Sequence, residues 1–256
     1  SPDQGGGGPE HLKTEALADS LYRIMGARVP GSKFLTGADG NHYKVAEYLD
    51  GAETLGVWEA SASPAERAAV YAQLHDHFVL DALLGNWDVA GQSNDNIMVL
   101  GGKAIRIDNG GSLDYRAMGT KKSAKEFGPE VIELKTLRDP GKAAGRTAQI
   151  FAGVTQSQID DQIAAIVAKR DELLEAVRFD RGDEVADALG KRIDWLAKRL
   201  PAEKKKAPLP KVAPAADSLE ARGLTQARLE KGAATRFGVE ILAGADTFED
   251  QGMTVW

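Results

Sequence analysis

Between Thr155 and Leu200 the chain carries its strongest constraint on folding. Ile159, Ile163, Ile166, Leu173 and Val177, followed by Val185, Leu189, Ile193, Leu196 and Leu200, recur mostly at three- and four-residue steps. A period of 3.6 residues brings such positions onto one face, so the pattern predicts a long amphipathic helix from Thr155 and another from about Asp183. Packed on what precedes them, the two form a helical hairpin.

The first half alternates between periods. Leu12, Ala16, Leu17, Leu21 and Ile24 predict a helix over Glu10 to Gly26, with Gly26 as its stop. Phe34 to Leu35 and Tyr43 to Leu49 read as strands joined by the turn-rich Gly37 to Asn41. Ser63-Pro64-Ala65-Glu66 has the form of a helix entry, and a helix to about Leu84 follows with Tyr71, Leu74 and Phe78 on one face. Ile97 to Leu100 and Ala104 to Ile107 flank Gly101-Gly102 as a tight strand-turn-strand unit. Pro201 to Ala216, with Lys204-Lys205-Lys206 and, after Pro201, Pro208, Pro210 and Pro214, reads as an extended linker.

These segments divide the chain into a domain over 1–200, a Lys/Pro-rich linker over 201–217 and an appendage or start of a further domain over 218–256. The appendage has a helical pattern near Leu219 to Lys231 and strand patterns at Gly238 to Leu242 and Met253 to Trp256. Gly5 to Gly8 read as a flexible loop leading straight into a helix, as if the chain were entered partway through a domain. Further domains are therefore expected to fit beyond both ends. The first residues have neither the basic nor the apolar region of a secretory signal.

Composition narrows the function classes. With 43% apolar and 27% charged residues and no apolar run near ~20 positions, no transmembrane segment is expected. A formal net charge of -6 argues against a general nucleic-acid partner, which needs a basic face. The sequence has no cysteine, which excludes disulfides, thiolate catalysis and zinc-thiolate or iron-sulfur sites and is compatible with a cytoplasmic protein.

The chemically informative text is Leu84-Gly85-Asn86-Trp87-Asp88-Val89-Ala90-Gly91-Gln92-Ser93-Asn94-Asp95-Asn96-Ile97, then Ile107-Asp108-Asn109-Gly110-Gly111-Ser112-Leu113. A helix delivers Asp88 into a loop, Asn96 closes the loop at the mouth of a strand, and the next strand ends on Asp108 and glycines. Phosphoryl transfer asks little covalent chemistry of a protein. It needs a carboxylate to orient the acceptor hydroxyl and hard oxygen ligands for Mg²⁺ against the phosphates. Asp88 suits the first task, and Asn96 with Asp108 the second.

This segment resembles the catalytic and metal-binding loops of the protein-kinase-like superfamily, closest to phosphatidylinositol 3- and 4-kinases, especially type II 4-kinases, and to actin-fragmin kinase. The match rests on Asn94-Asp95-Asn96-Ile97 and Ile107-Asp108-Asn109-Gly110. It implies an α+β fold with a partial strand-bearing N-lobe before a mainly helical C-lobe. By position it implies Asp88 as catalytic carboxylate, Asn96 and Asp108 as metal ligands, and ATP and Mg²⁺ as cofactors. Upstream, Glu47-Tyr48-Leu49 is similar to the hinge that receives adenine, and Glu15 falls where the family pairs a helix Glu with a nucleotide-binding Lys.

The resemblance has two departures. Asp88 and Asn96 stand eight positions apart, more than is usual in the family, so Val89-Ala90-Gly91 is expected to bulge out; Asp81 and Asp95 are the substitutes for Asp88. The glycine-rich loop and its Lys are not visible, and Lys44, Lys13 and Lys33 do not fall where that Lys belongs. The expected function is transfer of the ATP γ-phosphoryl group to a hydroxyl of a protein, Ser/Thr first, or of a small molecule. The alternatives are a degenerate kinase-fold interaction module and a phosphatidylinositol-type lipid kinase. Of the remaining residues, Trp87 is read as a packing anchor, Trp195 as core, and His75 and His77 as surface or core histidines. Tyr115-Arg116 are a candidate substrate contact or start of an activation-type segment, and Lys121, Lys122 and Lys125 a surface loop.

Overall fold

The computed structural model describes residues 8–202, residue 204 and the backbone of residues 253–255. In chain order these form α1 (Gly8–Ile24), β1 (Ser32–Thr36), β2 (His42–Glu47), β3 (Glu53–Thr54), α2 (Leu55–Trp58), α3 (Pro64–His75), α4 (Phe78–Leu83), β4 (Ile97–Leu100) and β5 (Lys103–Arg106). A short 3-10 helix (Asn109–Gly111) follows, then α5 (Glu133–Thr136), α6 (Thr147–Phe151), α7 (Gln156–Ala168), α8 (Arg170–Ala197) and β6 (Met253–Val255). The class is α+β: two small antiparallel sheets, ordered β1-β2-β6 and β3-β4-β5, lie among helices. No described helix is long and apolar enough to cross a membrane. The linker reading and the patterns at 219–231 and 238–242 lie outside the described residues.

Helix α1 follows its sequence pattern. Glu10 in the first turn and Arg23 in the last oppose the helix dipole. At its end the N–H of Gly26 donates to Arg23 O and that of Ala27 to Tyr22 O, the paired bonds of a Schellman stop. Leu17, Leu21 and Tyr22 are fully buried on its inner face. The β1–β2 hairpin pairs Ser32 with Ala46 through Thr36 with His42. Met253 to Val255, read from sequence as a strand, add to the other edge of β2, opposite Glu47 to Val45.

The helix expected from Ser63 to Leu84 is two helices. Its start is as read: Ser63 accepts from the Glu66 amide while the Glu66 carboxylate accepts from Ser63 N–H, with Pro64 at the first position. The chain leaves helical geometry at His77 and restarts at Phe78. The freed groups at the break are met by one distant side chain, since Gln162 of α7 donates to His75 O (2.8 Å) and accepts from Val79 N–H (2.9 Å). A break satisfied from so far along the chain leaves no local signature.

The C-terminal helices also divide differently from the sequence reading. The helix starts at Thr155 as read, where Thr155 and Gln158 form a capping box, but α7 stops at Ala168 and α8 runs from Arg170 to Ala197 with a kink at Gly182. Every apolar position of the sequence pattern from Ile159 to Leu200 is nonetheless buried. Together with Phe78, Leu80, Leu83 and Leu84 they make one core beneath the polar loops. Arg192 is buried in that core, where it pairs with Glu133 (2.7 Å) and donates to the carbonyls of Ala82, Leu83, Gly128 and Glu130.

Candidate functional site

The segment after α4 is held from below. Buried Asn86 accepts from the Asp88 N–H (3.1 Å), which turns the backbone so that Asp88 follows in a fixed direction. Trp87 donates from its indole to Glu133 (3.1 Å), the same carboxylate that holds Arg192, in agreement with its reading as an anchor. Val89 and Ala90 are buried, so the extra residues before Asn96 do not bulge outward as expected. They tuck into the core because both are apolar, and the exposed part of the loop is Gln92, Ser93 and Asp95. Gly91 makes this path feasible: its φ is +75°, and a Cβ there would lie 2.1 Å from an Asp95 carboxylate oxygen and 3.0 Å from the Asn96 amide oxygen.

Asn96 closes the loop. Its side-chain NH₂ donates to Asp88 O (2.7 Å) and approaches the Asp88 carboxylate (3.3 Å), while its backbone binds Ala90 O and Ile107 N–H. The amide oxygen lies on the side of Gly91. Burial raises the Asp88 carboxyl above the usual range, the Asn96 bond opposes this, and the charges of Asp108 and Asp95 add to it. Asp88 and Asp108 are thus close enough to feel each other.

Asp108 caps β5 in the left-handed region (φ 50°, ψ 56°), a conformation Asp tolerates better than most residues, and leads into the 3-10 turn. The turn is pinned on both sides: Asn109 donates to Asp19 (2.8 Å) and Gly110 O contacts His11 Nε2 (3.0 Å). The Asp108 side chain is exposed and forms no hydrogen bond with a described residue. Its charge reaches Glu15 and His11 as well as Asp88. Burial, opposed by Gly110 and Asp108, holds the His11 imidazole below its usual range.

Lys44 differs most from the sequence reading. From β2 its ammonium reaches Glu15 (2.6 Å) and Asp19 (2.9 Å), both on α1. The lysine paired with Glu15 is therefore on the hinge-side strand, where the resemblance did not put it. Burial works against the Lys44 charge, yet Asp19 and Glu15 together hold the group above the usual lysine range. Burial is also the main reason the Glu15 carboxyl is raised; Lys44 pulls it down and Asp108 and Asp19 push it up. Sequence reasoning missed Asp19 and His11. Glu15 and Asp19, four apart on one helix face, were a usable signal, because two carboxylates so placed call for a cation.

The other candidates are sorted by their contacts. Asp81 is not a substitute for Asp88: it is fully buried in a two-bond pair with Arg106 (2.9 and 2.7 Å) and accepts from Tyr22 (2.7 Å). Asp95 is exposed. Lys13 pairs with Glu10 (3.0 Å). The Glu47 N–H donates to Gly31 O (2.7 Å) and Leu49 O accepts from Ala52 (3.1 Å), while Tyr48 is exposed at the end of β2. Tyr115 is buried against His11 and Arg181, and Arg116 pairs with Glu126 (2.5 Å). His75 contacts Ile150 O and packs on Phe151.

Among the described residues no group of three or more His, Asp or Glu side chains is arranged to hold a metal ion. The chain matches no family model and no curated protein.

Proposed function

We propose that the chain is a kinase-like phosphotransferase that uses ATP and Mg²⁺ to phosphorylate a hydroxyl, with a protein Ser or Thr as first choice of acceptor. A cytoplasmic setting belongs to the proposal. The observation that carries it is an imbalance of charge. The charge of Asp108 acts on both Asp88 and Glu15, Asp19 acts on Glu15, and among the described residues the one ammonium paired with any of these four carboxylates is that of Lys44. Such a site favours a divalent cation and a phosphate chain bridged by it.

In this reading Asn96 Oδ1 and the Asp108 carboxylate hold Mg²⁺, which when bound supplies charge neutralisation at the phosphates. Asp88, its carboxyl raised by burial, orients the acceptor hydroxyl and takes its proton. Lys44, steered by Glu15 and Asp19, contacts the phosphates. Tyr48 and Leu49 border the base.

Purified protein with Mg²⁺ and labelled ATP tests the reading. Asp108→Ala is expected to lower transfer by at least ~10³-fold, since it removes charge stabilisation made in the transition state. Because the Asp108 side chain is exposed and bonded to no described residue, the loss of stability should be confined to about 1 kcal/mol for placing alanine in the left-handed region. Activity undiminished in this variant would defeat the assignment. One observation favours a second reading, an interaction module without catalysis: Lys44 already has two carboxylate partners. That reading predicts no thermal shift with ATP and Mg²⁺.

A further inference from the structure

Lys122 is not part of a lysine-rich surface loop. It is 8% exposed, and its ammonium donates to three backbone carbonyls: Gly85 (2.7 Å), Gly111 (2.8 Å) and Leu113 (2.9 Å). The rings of Trp87 and Phe127 lie 5.3 and 5.8 Å from it, and among the described residues no carboxylate is within ion-pair distance. Its own N–H donates to Asp114 O, which closes the base of a small hairpin whose strands meet at Tyr115 and Lys121.

The three carbonyls belong to two segments. Gly85 precedes Trp87 and Asp88; Gly111 and Leu113 follow Asp108. Leu113 is buried at φ 53°, a strained conformation for a leucine, and its N–H donates to Leu84 O (2.6 Å). The two segments are therefore joined directly by one backbone bond, and Lys122 spans them with its ammonium.

We propose that Lys122 is a positioning residue whose ammonium ties the segment leading into Asp88 to the segment following Asp108, and so sets the spacing of the two carboxylates. This deepens the phosphotransferase reading and rests on it. Three converging acceptors require three N–H donors, which only the charged amine has; the neutral amine has two and leaves one carbonyl without a partner. The groups facing Lys122 are Arg192 from α8, Glu133 from α5, and Asp114 and Glu126 from the hairpin and the chain after it. Burial, reinforced by Arg192 and opposed by the three carboxylates, brings the ammonium down to about 7. The tie is complete below that pH and one bond short above it.

Two measurements test this. Phosphotransfer to a Ser/Thr peptide mixture, followed from about pH 6 to about pH 9, should fall roughly tenfold through a midpoint near 7 in the parent chain. Lys122→Met should be low and flat across the range. Independently of activity, a chain carrying Trp58→Phe, Trp195→Phe and Trp256→Phe reports on Trp87 alone. Its emission should titrate with the same midpoint and lose that titration when Lys122→Met is added. A pH profile in Lys122→Met like that of the parent, or Trp87 emission that does not titrate, overturns the proposal. If Lys122→Met does not fold, the parent titration of Trp87 decides. Titrating emission in a chain with no phosphotransfer defeats the proposed function and leaves the tie standing.

Discussion

Two largely buried ion-pair groups, Arg106 with Asp81 and Lys44 with Glu15 and Asp19, are built differently. Arg106 and Asp81 are 3% and 0% exposed, with one charge of each sign. The guanidinium meets the carboxylate with two bonds and spends a third on Leu74 O, while Tyr22 donates to the remaining face. Lys44 instead serves two carboxylates, and one of them, Glu15, is 14% exposed. The first pair is closed and balanced; the second is open on one side and short of positive charge. Full satisfaction suits an internal brace, whereas a remaining imbalance suits a place where a ligand completes the set.

The largest effect should come from breaking the closed pair. Asp81→Leu leaves Arg106 charged in the core, and about 3–5 kcal/mol of stability should be lost, visible as a fall of roughly 10 °C in melting temperature. Asp81→Leu combined with Arg106→Leu should recover much of this, because neither charge then remains unpaired. A double variant as unstable as the single one would show that the pair is not a self-contained unit.

Lys44→Met tests the open pair. If Lys44 contacts phosphates, nucleotide affinity and transfer should fall ten- to a hundredfold, about what a charge-assisted hydrogen bond contributes. Melting temperature should change less than for Asp81→Leu, since Glu15 is already raised and can take up a proton. A collapse of the fold with no specific nucleotide effect would make the two pairs alike and remove the contrast.

The smallest effect concerns His77, which shares the field of the closed pair. Burial, with Arg106 and Arg28 adding to it, brings the imidazole down to about 3. Between that value and the ordinary histidine range the unfolded chain binds a proton that the folded chain refuses. Stability from this group is therefore present at neutral pH and lost as pH falls through that window. His77→Gln should flatten the acid limb of the stability curve by about 1 kcal/mol. An unchanged acid limb would mean that Arg106 is screened from its surroundings more completely than its contacts suggest.

Sequence alone exposed the periodic and local features. The Ser63 helix entry, the helix start at Thr155, the β1–β2 and β4–β5 hairpins and the buried stripe from Ile159 to Leu200 all arise from neighbouring residues. What it concealed depends on distant ones. The break between α3 and α4 is satisfied by Gln162, the inward path of Val89 and Ala90 depends on core space, and the burial of Lys122 follows from carbonyls 9 to 37 positions away. At the site, Asp88 and Asn96 are in direct contact, and the charge of Asp108 reaches Asp88. The partner of Glu15 was misjudged because the strand was read by family position, although an acidic pair on α1 already asked for a cation from the facing strand.

The kink in α8 has a further consequence. Gly182 has φ 78° and ψ -177°, and a Cβ there would touch nothing within 4 Å, so it is backbone conformation, rather than crowding, that demands glycine. Just before it, Arg181 reaches Asp114 and Glu10; after it, the helix carries Arg192 into the core. A straight rod could not serve both surfaces at once. One swivel lets a single helix grip the hairpin at one end and the foundation at the other, so a displacement of either can be felt by its opposite.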